Sequence, residues 1–178
     1  MHAYAGHLLG DSTAKYEGRL SLNPLNHIDP LMTVVLPVLT LILFGFPILA
    51  AKPVPFNPDR LKFDEFGAAI LAAAGPLSNL VLAFISALIL RNVSLGSFMV
   101  NALSTFTYLN VALFVFNLVP IPPLDGSRIL YAFAPEALQQ ILREIEPFGL
   151  IIVFALVLGA GLGGFLQSID QSILNILP

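Results

Sequence analysis

Long apolar runs without a single charge constrain the fold of this chain more than any other feature. They cover residues 34–51, 66–90, 98–119 and 148–166. Even the shortest is about long enough to cross ~30 Å of hydrocarbon at about 1.5 Å per residue. Charged residues make up only 11% of the chain, against roughly 25% in soluble domains. We therefore predict an all-α polytopic membrane protein with three to four transmembrane helices, forming one membrane-embedded domain over residues 1–178.

The first apolar run, residues 34–51, contains Pro37, Gly45 and Pro47. Because proline and glycine interrupt helices, a kinked span and a re-entrant hairpin are both open for this segment. The other three runs predict membrane-crossing helices. Glycines are frequent in the last run, and small residues allow helices to pack closely.

The segments between the runs are polar and predict smaller elements. Residues 1–10 read as the tail of a helix that stops at Gly10. Residues 11–33 carry two turn signals, Asn23-Pro24 and Asp29-Pro30, and predict a small β-hairpin at the membrane surface. Residues 129–147 predict a short amphipathic helix.

The overall charge and the absence of cysteine exclude some functions. The net charge of −3 argues against a nucleic-acid partner, because such partners usually require a basic face. With no cysteine, the chain has neither disulfides nor a thiolate metal site. The predicted surroundings are a lipid bilayer.

Asp125 is the first candidate for chemistry, because it follows an apolar helix that prolines interrupt. A carboxylate near membrane depth is costly unless it is paired, metal-bound or facing water. The alternative is a turn aspartate that caps a helix beginning near Ser127. From spacing alone, the capping role is favoured.

The three histidines are weak candidates when taken alone. His2 reads as a polar residue at a frayed terminus. His7 lies five residues further on, about 140° around a helix, so the two cannot form an i, i+4 metal pair. His27 reads as a turn-stabilising residue.

Three amides lie inside apolar segments: Asn79, Asn110 and Asn117. Their structural role is hydrogen bonding between helices. The alternative, functional interpretation is that they hold a substrate backbone or an oxyanion. The structural reading is strongest for Asn110.

Five sequence elements resemble the site-2 protease family, the intramembrane zinc metalloproteases, and in particular its short bacterial members. They are H-A-Y-A at 2–5 with L-G-D at 9–11, N-P-L-N-H-I-D-P at 23–30, K-P-V-P-F-N-P at 52–58, A-G-P-L-S-N at 74–79 and N-L-V-P-I-P-P-L-D-G at 117–126. The last is specific, whereas each of the others is weak alone.

The resemblance implies residue roles. In this family zinc is held by the two histidines of an H-E-x-x-H helix and by the aspartate of the L-D-G element. The second histidine corresponds here to His2, and the aspartate corresponds to Asp125. Asn117 resembles the family asparagine that engages substrate near zinc, and Asn79 is a second substrate-binding candidate. Residues 52–58 are expected to pair with an extended substrate. The implied partner is a transmembrane protein substrate, and the implied location is the bacterial cell membrane.

The H-E-x-x-H motif is incomplete in these 178 residues. In register with His2, the first histidine and the general-base glutamate fall upstream of Met1. We expect a protease whose start was placed at an internal methionine, with the chain as written inactive. Two alternatives are open: a non-catalytic relative that binds membrane helices, and a transporter fragment, which broken helices and mid-membrane amides favour. The presence of both Asp125 and Asn117 argues against a non-catalytic relative. The lack of internal symmetry argues against a transporter fragment.

Overall fold

The structure is a computed structural model that describes residues 1–21, 23, 34–44, 60–158, 168 and 171–174. The regular elements among these residues are all helical, and no strand occurs there. The chain forms two compact units, His2–Lys62 and the part from Phe63 onward, which are described separately.

The first unit begins with α1, His2–Leu8. Gly10, just beyond the end of this helix, has φ +103°, a conformation that ends helices and favours glycine. The carboxylate of the buried Asp11 accepts a hydrogen bond from the Thr13 amide at 2.9 Å. This bond leads into the one-turn helix α2, Thr13–Tyr16.

The predicted β-hairpin over residues 11–33 is not confirmed. Within that range, residues 11–21 and 23 are described, and they contain α2 and no strand. The turn signals at Pro24 and Asp29-Pro30 lie outside the described residues. Of the first apolar run, the structure describes a helix, α3, over Leu36–Phe44, and residues 45–51 lie outside the description.

Two long helices, α4 and α5, dominate the second unit. Helix α4 runs over Asp64–Asn92 and α5 over Ser97–Asn117, within a few residues of the predicted spans. Both are long and apolar enough to cross a membrane, yet only 28% and 22% of their most apolar windows are buried. A core helix of a soluble protein would be mostly buried, so this exposure favours contact with lipid.

The register of α4 against α5 is set by a buried polar pair. The hydroxyls of Ser86 and Thr107 lie 2.7 Å apart, and both side chains are buried. Next to them, Ala83 packs on Val111 and Val115 in a small apolar core, against which the segment 171–174 also packs. The loop of four residues between the helices makes them antiparallel neighbours.

The amphipathic helix predicted over 129–147 is two helices, α6 at Asp125–Phe133 and α7 at Glu136–Ile145. The break falls at Ala134, whose backbone is extended (φ −78°, ψ 144°). The cause is Pro135, because a proline disfavours the helical conformation in the residue before it. A 3-10 turn, Glu146–Phe148, then leads into α8, Gly149–Leu158, the described part of the last predicted span.

Candidate active site

The turn that carries Asp125 connects the end of α5 to the start of α6. Three backbone hydrogen bonds organise it: Leu118 to Phe114, Ile121 to Val119, and Leu124 to Ile121, the last two at 2.8 and 3.0 Å. The Pro122–Pro123 peptide within it is cis. The buried Ser127 hydroxyl donates to the Leu124 carbonyl at 2.7 Å, which holds the first turn of α6 onto the loop.

Asp125 is the first residue of α6, and Leu124 occupies the N-cap position. The capping role predicted for Asp125, on a helix beginning near Ser127, is therefore wrong. The helix begins two residues earlier because its first turn is closed by hydrogen bonds from the Ser127 amide and hydroxyl to the Leu124 carbonyl. A half-buried carboxylate in this first turn is stabilised by the positive end of the helix dipole.

Two glycines allow the turn to fold tightly. A Cβ atom on Gly126 would lie 2.2 Å from the Leu118 carbonyl oxygen, so the start of α6 touches the end of α5 directly. A Cβ atom on Gly149 would lie 2.4 Å from the Pro122 carbonyl oxygen. The N-terminus of α8 therefore supports the same turn from another side.

Gly126 lies against the Leu118 carbonyl. Asp125 directly precedes Gly126, and Asn117 directly precedes Leu118, so this contact brings Asp125 and Asn117 to the junction of α5 and α6. Asn117 is the last residue of α5. Its side-chain amide donates to the Leu113 carbonyl at 2.9 Å, within its own helix. The carboxamide oxygen makes no hydrogen bond to a described residue and is free to accept one from a ligand.

The register of the hairpin places Asn79 near the same level. Ser86 and Thr107 lie at the same level of the two antiparallel helices. Asn117 comes about ten residues after Thr107 on α5, so it lies level with the residue about ten positions before Ser86 on α4, which is Pro76. Asn79 is therefore within about one helical turn of the level of Asn117. The half-buried carboxamide of Asn79 has no hydrogen-bond partner among the described residues. An unpartnered amide inside an apolar helix is costly, and a ligand would offset that cost.

His2 is the first residue of α1 in the other unit and is half-buried. Its pairing with Asp125 in a zinc site stays a prediction. Imidazole and carboxylate groups are suitable zinc ligands. In the described part of the chain, however, no three His, Cys, Asp or Glu side chains lie together. The described residues therefore supply a fitting donor at Asp125 but not a complete ligand set.

The remaining candidates have local contacts or lie outside the description. The His7 ring shares a hydrogen bond with the Ser12 hydroxyl at 3.2 Å. The buried Asn110 donates to the Phe106 carbonyl at 2.8 Å, within its own helix. His27 and the predicted substrate-pairing segment 52–58 lie outside the described residues.

Sequence reasoning missed Gly149, whose contact with Pro122 joins segments far apart in the chain. The only signal was a glycine at the start of an apolar run, which by itself predicts no specific contact. Sequence reasoning had assigned the glycines of this last run to helix packing and overlooked the one that supports the turn.

Comparisons with known proteins agree on one family. The profile described as Peptidase family M50 matches residues 92–160, which include α5, the Asp125 turn and α6. "Putative zinc metalloprotease YwhC" of Bacillus subtilis is 38% identical over 164 residues, covering 87% of this chain and 72% of that protein.

Two less similar relatives match more than half of this chain. "Putative zinc metalloprotease Rip2" of Mycolicibacterium smegmatis is 32% identical over 162 residues, covering 88% of this chain and 60% of that protein. "Putative zinc metalloprotease MJ0611" of Methanocaldococcus jannaschii is 32% identical over 97 residues, covering 54% of this chain and 50% of that protein. No solved structure matches the chain.

Proposed function

Because this chain belongs to peptidase family M50, the site-2 proteases, we propose that it acts as an intramembrane endopeptidase that cleaves transmembrane segments of protein substrates. The metalloprotease class and the dependence on zinc follow from family membership. The intramembrane substrate, the residue roles and a location in the bacterial cell membrane are our proposal. Its main support is the turn that brings Asn117 and Asp125 together at the level of Asn79.

In this proposal Asp125 and His2 are zinc ligands, and the first histidine and the general-base glutamate precede Met1. When bound, zinc supplies Lewis acidity toward the scissile carbonyl and activates a water molecule. Asp125 contributes a negative charge held at a fixed point by the Leu118–Gly126 contact. The close approach of Gly149 to the Pro122 carbonyl supports the same turn from the side of α8.

Asn117 and Asn79 are the proposed substrate-binding residues. A peptide bond can be cut only if its backbone is extended and accessible, and an extended backbone exposes amide and carbonyl groups that need partners in an apolar medium. The free oxygen of Asn117 accepts from a substrate amide. The carboxamide of Asn79 has both a donor and an acceptor for the substrate backbone.

The first test is the N-terminus of the protein purified from its native membrane, read by mass spectrometry. Peptides that extend upstream of Met1 and include His-Glu in register with His2 support the proposal. A mature chain beginning at Met1 refutes catalysis by this polypeptide alone and favours a non-catalytic relative that binds membrane helices.

The second test is metal content and cleavage in the full-length protein. We expect Asp125→Asn to lose bound zinc and cleavage of a transmembrane reporter substrate. The matched control is Glu136→Gln, which converts another first-turn carboxylate, on α7, to an amide; it should retain both. Zinc that stays bound at wild-type stoichiometry in Asp125→Asn contradicts the assignment of Asp125.

A further inference from the structure

A cavity of about 490 Å³ lies between α4 and α5, at the end of the hairpin opposite to Asn117. This volume is within the usual range of small-molecule sites. Its apolar walls are formed by Ala87, Leu90 and Leu174. The polar groups of Arg91, Ser104 and Tyr108 also line it.

The lining residues form one face on each helix. On α4, Ala87, Leu90 and Arg91 are spaced i, i+3, i+4, and on α5, Ser104 and Tyr108 are spaced i, i+4. Residues with these spacings are neighbours on a helix surface. The cavity is therefore a groove along the hairpin, with Arg91 at its outer end.

Three of the four polar side chains that line this groove have no partners within the described residues. Arg91, Ser104 and Tyr108 make neither a hydrogen bond nor an ion pair there. The fourth is Thr107, whose hydroxyl donates to the Leu103 carbonyl at 2.8 Å and contacts the Ser86 hydroxyl. Since a polar group at membrane depth is costly without a partner, the two hydroxyls of Ser104 and Tyr108 below an interfacial arginine indicate a ligand.

The order of these groups along the membrane normal matches the order of groups in a phospholipid. Arg91 is the next-to-last residue of α4, so it lies where the apolar span ends and lipid phosphates begin. Ser104 lies about two turns into α5, and Tyr108 about one turn deeper, at the depth of glycerol esters and the first methylenes. The described lining contains one cation and no acid.

We propose that the groove between α4 and α5 binds an anionic phospholipid. The Arg91 guanidinium binds the phosphate, the Ser104 and Tyr108 hydroxyls donate to ester oxygens, and an acyl chain covers Ala87, Leu90 and Leu174. This site is separate from the proposed active site, so its test does not depend on zinc or proteolysis.

The test uses the full-length protein in detergent micelles, with phosphatidylglycerol and phosphatidylcholine titrated separately and bound lipid counted by native mass spectrometry. We expect the wild type to bind phosphatidylglycerol more tightly. Arg91→Gln should lower phosphatidylglycerol affinity about tenfold and remove the preference, because a charge-assisted hydrogen bond is lost. Ser104→Ala combined with Tyr108→Phe should weaken both lipids by similar factors, because both lipids carry ester groups.

The matched control is Arg143→Gln, since Arg143 is an exposed arginine that lies on the Tyr131 ring at 5.6 Å, away from the groove. It removes the same charge and should leave lipid binding unchanged. Equal binding of both lipids to the wild type overturns the proposal. So does an equal loss in Arg143→Gln and Arg91→Gln, which would mean attraction by overall charge alone.

Discussion

Replacing Gly126 by alanine tests whether the Asp125 turn is as tightly closed as the structure shows. The added methyl group would lie 2.2 Å from the Leu118 oxygen, 2.4 Å from the Leu118 carbon and 2.6 Å from the Val119 oxygen. Ordinary contacts of a carbon atom with these groups require more than 3 Å. The obstacle is backbone rather than a flexible side chain, so α6 must move away from the end of α5 by about 1 Å.

Overpacking of this kind destabilises proteins by about 1–3 kcal/mol. For a chain of this size, a loss of 1 kcal/mol lowers Tm by about 2–4 °C, so we expect Gly126→Ala to lower Tm by roughly 2–12 °C. Gly149→Ala should have a similar effect, because its methyl group would lie 2.4 Å from the Pro122 oxygen. The assay is thermal unfolding of the purified protein in detergent, followed by circular dichroism.

Gly96→Ala is the matched control. Gly96 has φ −67°, which alanine adopts without strain, and a methyl group there would meet nothing within 4 Å. Its Tm should stay within about 2 °C of the wild type, since surface substitutions usually change stability by less than about 0.5 kcal/mol. If Gly126→Ala unfolds at the same temperature as Gly96→Ala, the tight contact between α5 and α6 is refuted.

Three further predictions concern the hairpin and its neighbours. Ser86→Ala and Thr107→Ala, singly and together, should show a coupling of about 0.6 kcal/mol in the free energy of unfolding, a value typical of hydroxyl pairs between membrane helices. The measurement is reversible unfolding in mixed micelles. Purely additive effects would contradict the hydrogen bond. The Arg128–Glu146 ion pair has an N–O distance of 2.8 Å, and its side chains are 37% and 45% exposed. In a double-mutant cycle it should contribute at most about 1 kcal/mol to the free energy of unfolding, and less in 1 M salt. A coupling that does not change with salt would contradict this solvent-exposed pair. Asn79→Ala should lower substrate cleavage about tenfold at unchanged Tm. The control Asn92→Ala, at the end of the same helix, should leave cleavage unchanged. Equal losses of cleavage in the two variants would contradict the assignment of Asn79 to the substrate-binding site.

The sequence predicted the long helices well because their signal is local. Uninterrupted apolar runs bounded by polar residues marked α4 and α5 to within a few residues. The end of α1 at Gly10 followed from the conformational freedom of glycine. Family membership was also predictable, because a turn with three prolines, an aspartate and a glycine after an apolar helix is an unusual combination.

The errors arose where contacts between distant residues determine the structure. The role of Asp125 was misjudged because the start of α6 is set by hydrogen bonds of Ser127 to Leu124, which spacing alone does not show. The division of the amphipathic segment was missed although Pro135 was visible, because the charge pattern continues across the break. The support of the turn by Gly149 has no sequence signal of its own.

The register of α4 against α5 has a consequence for water. Asn79 lies about 22 Å from the start of α4 and about 20 Å from its end, near the middle of a helix that is long enough to cross a bilayer core of about 30 Å. In the proposed intramembrane protease, hydrolysis at that level would consume one water molecule per bond cut, so water would have to pass through about half the hydrocarbon thickness in every cycle. The proposed function therefore requires a wetted path from one membrane face, and the supply of water through that path would set an upper limit on the turnover rate.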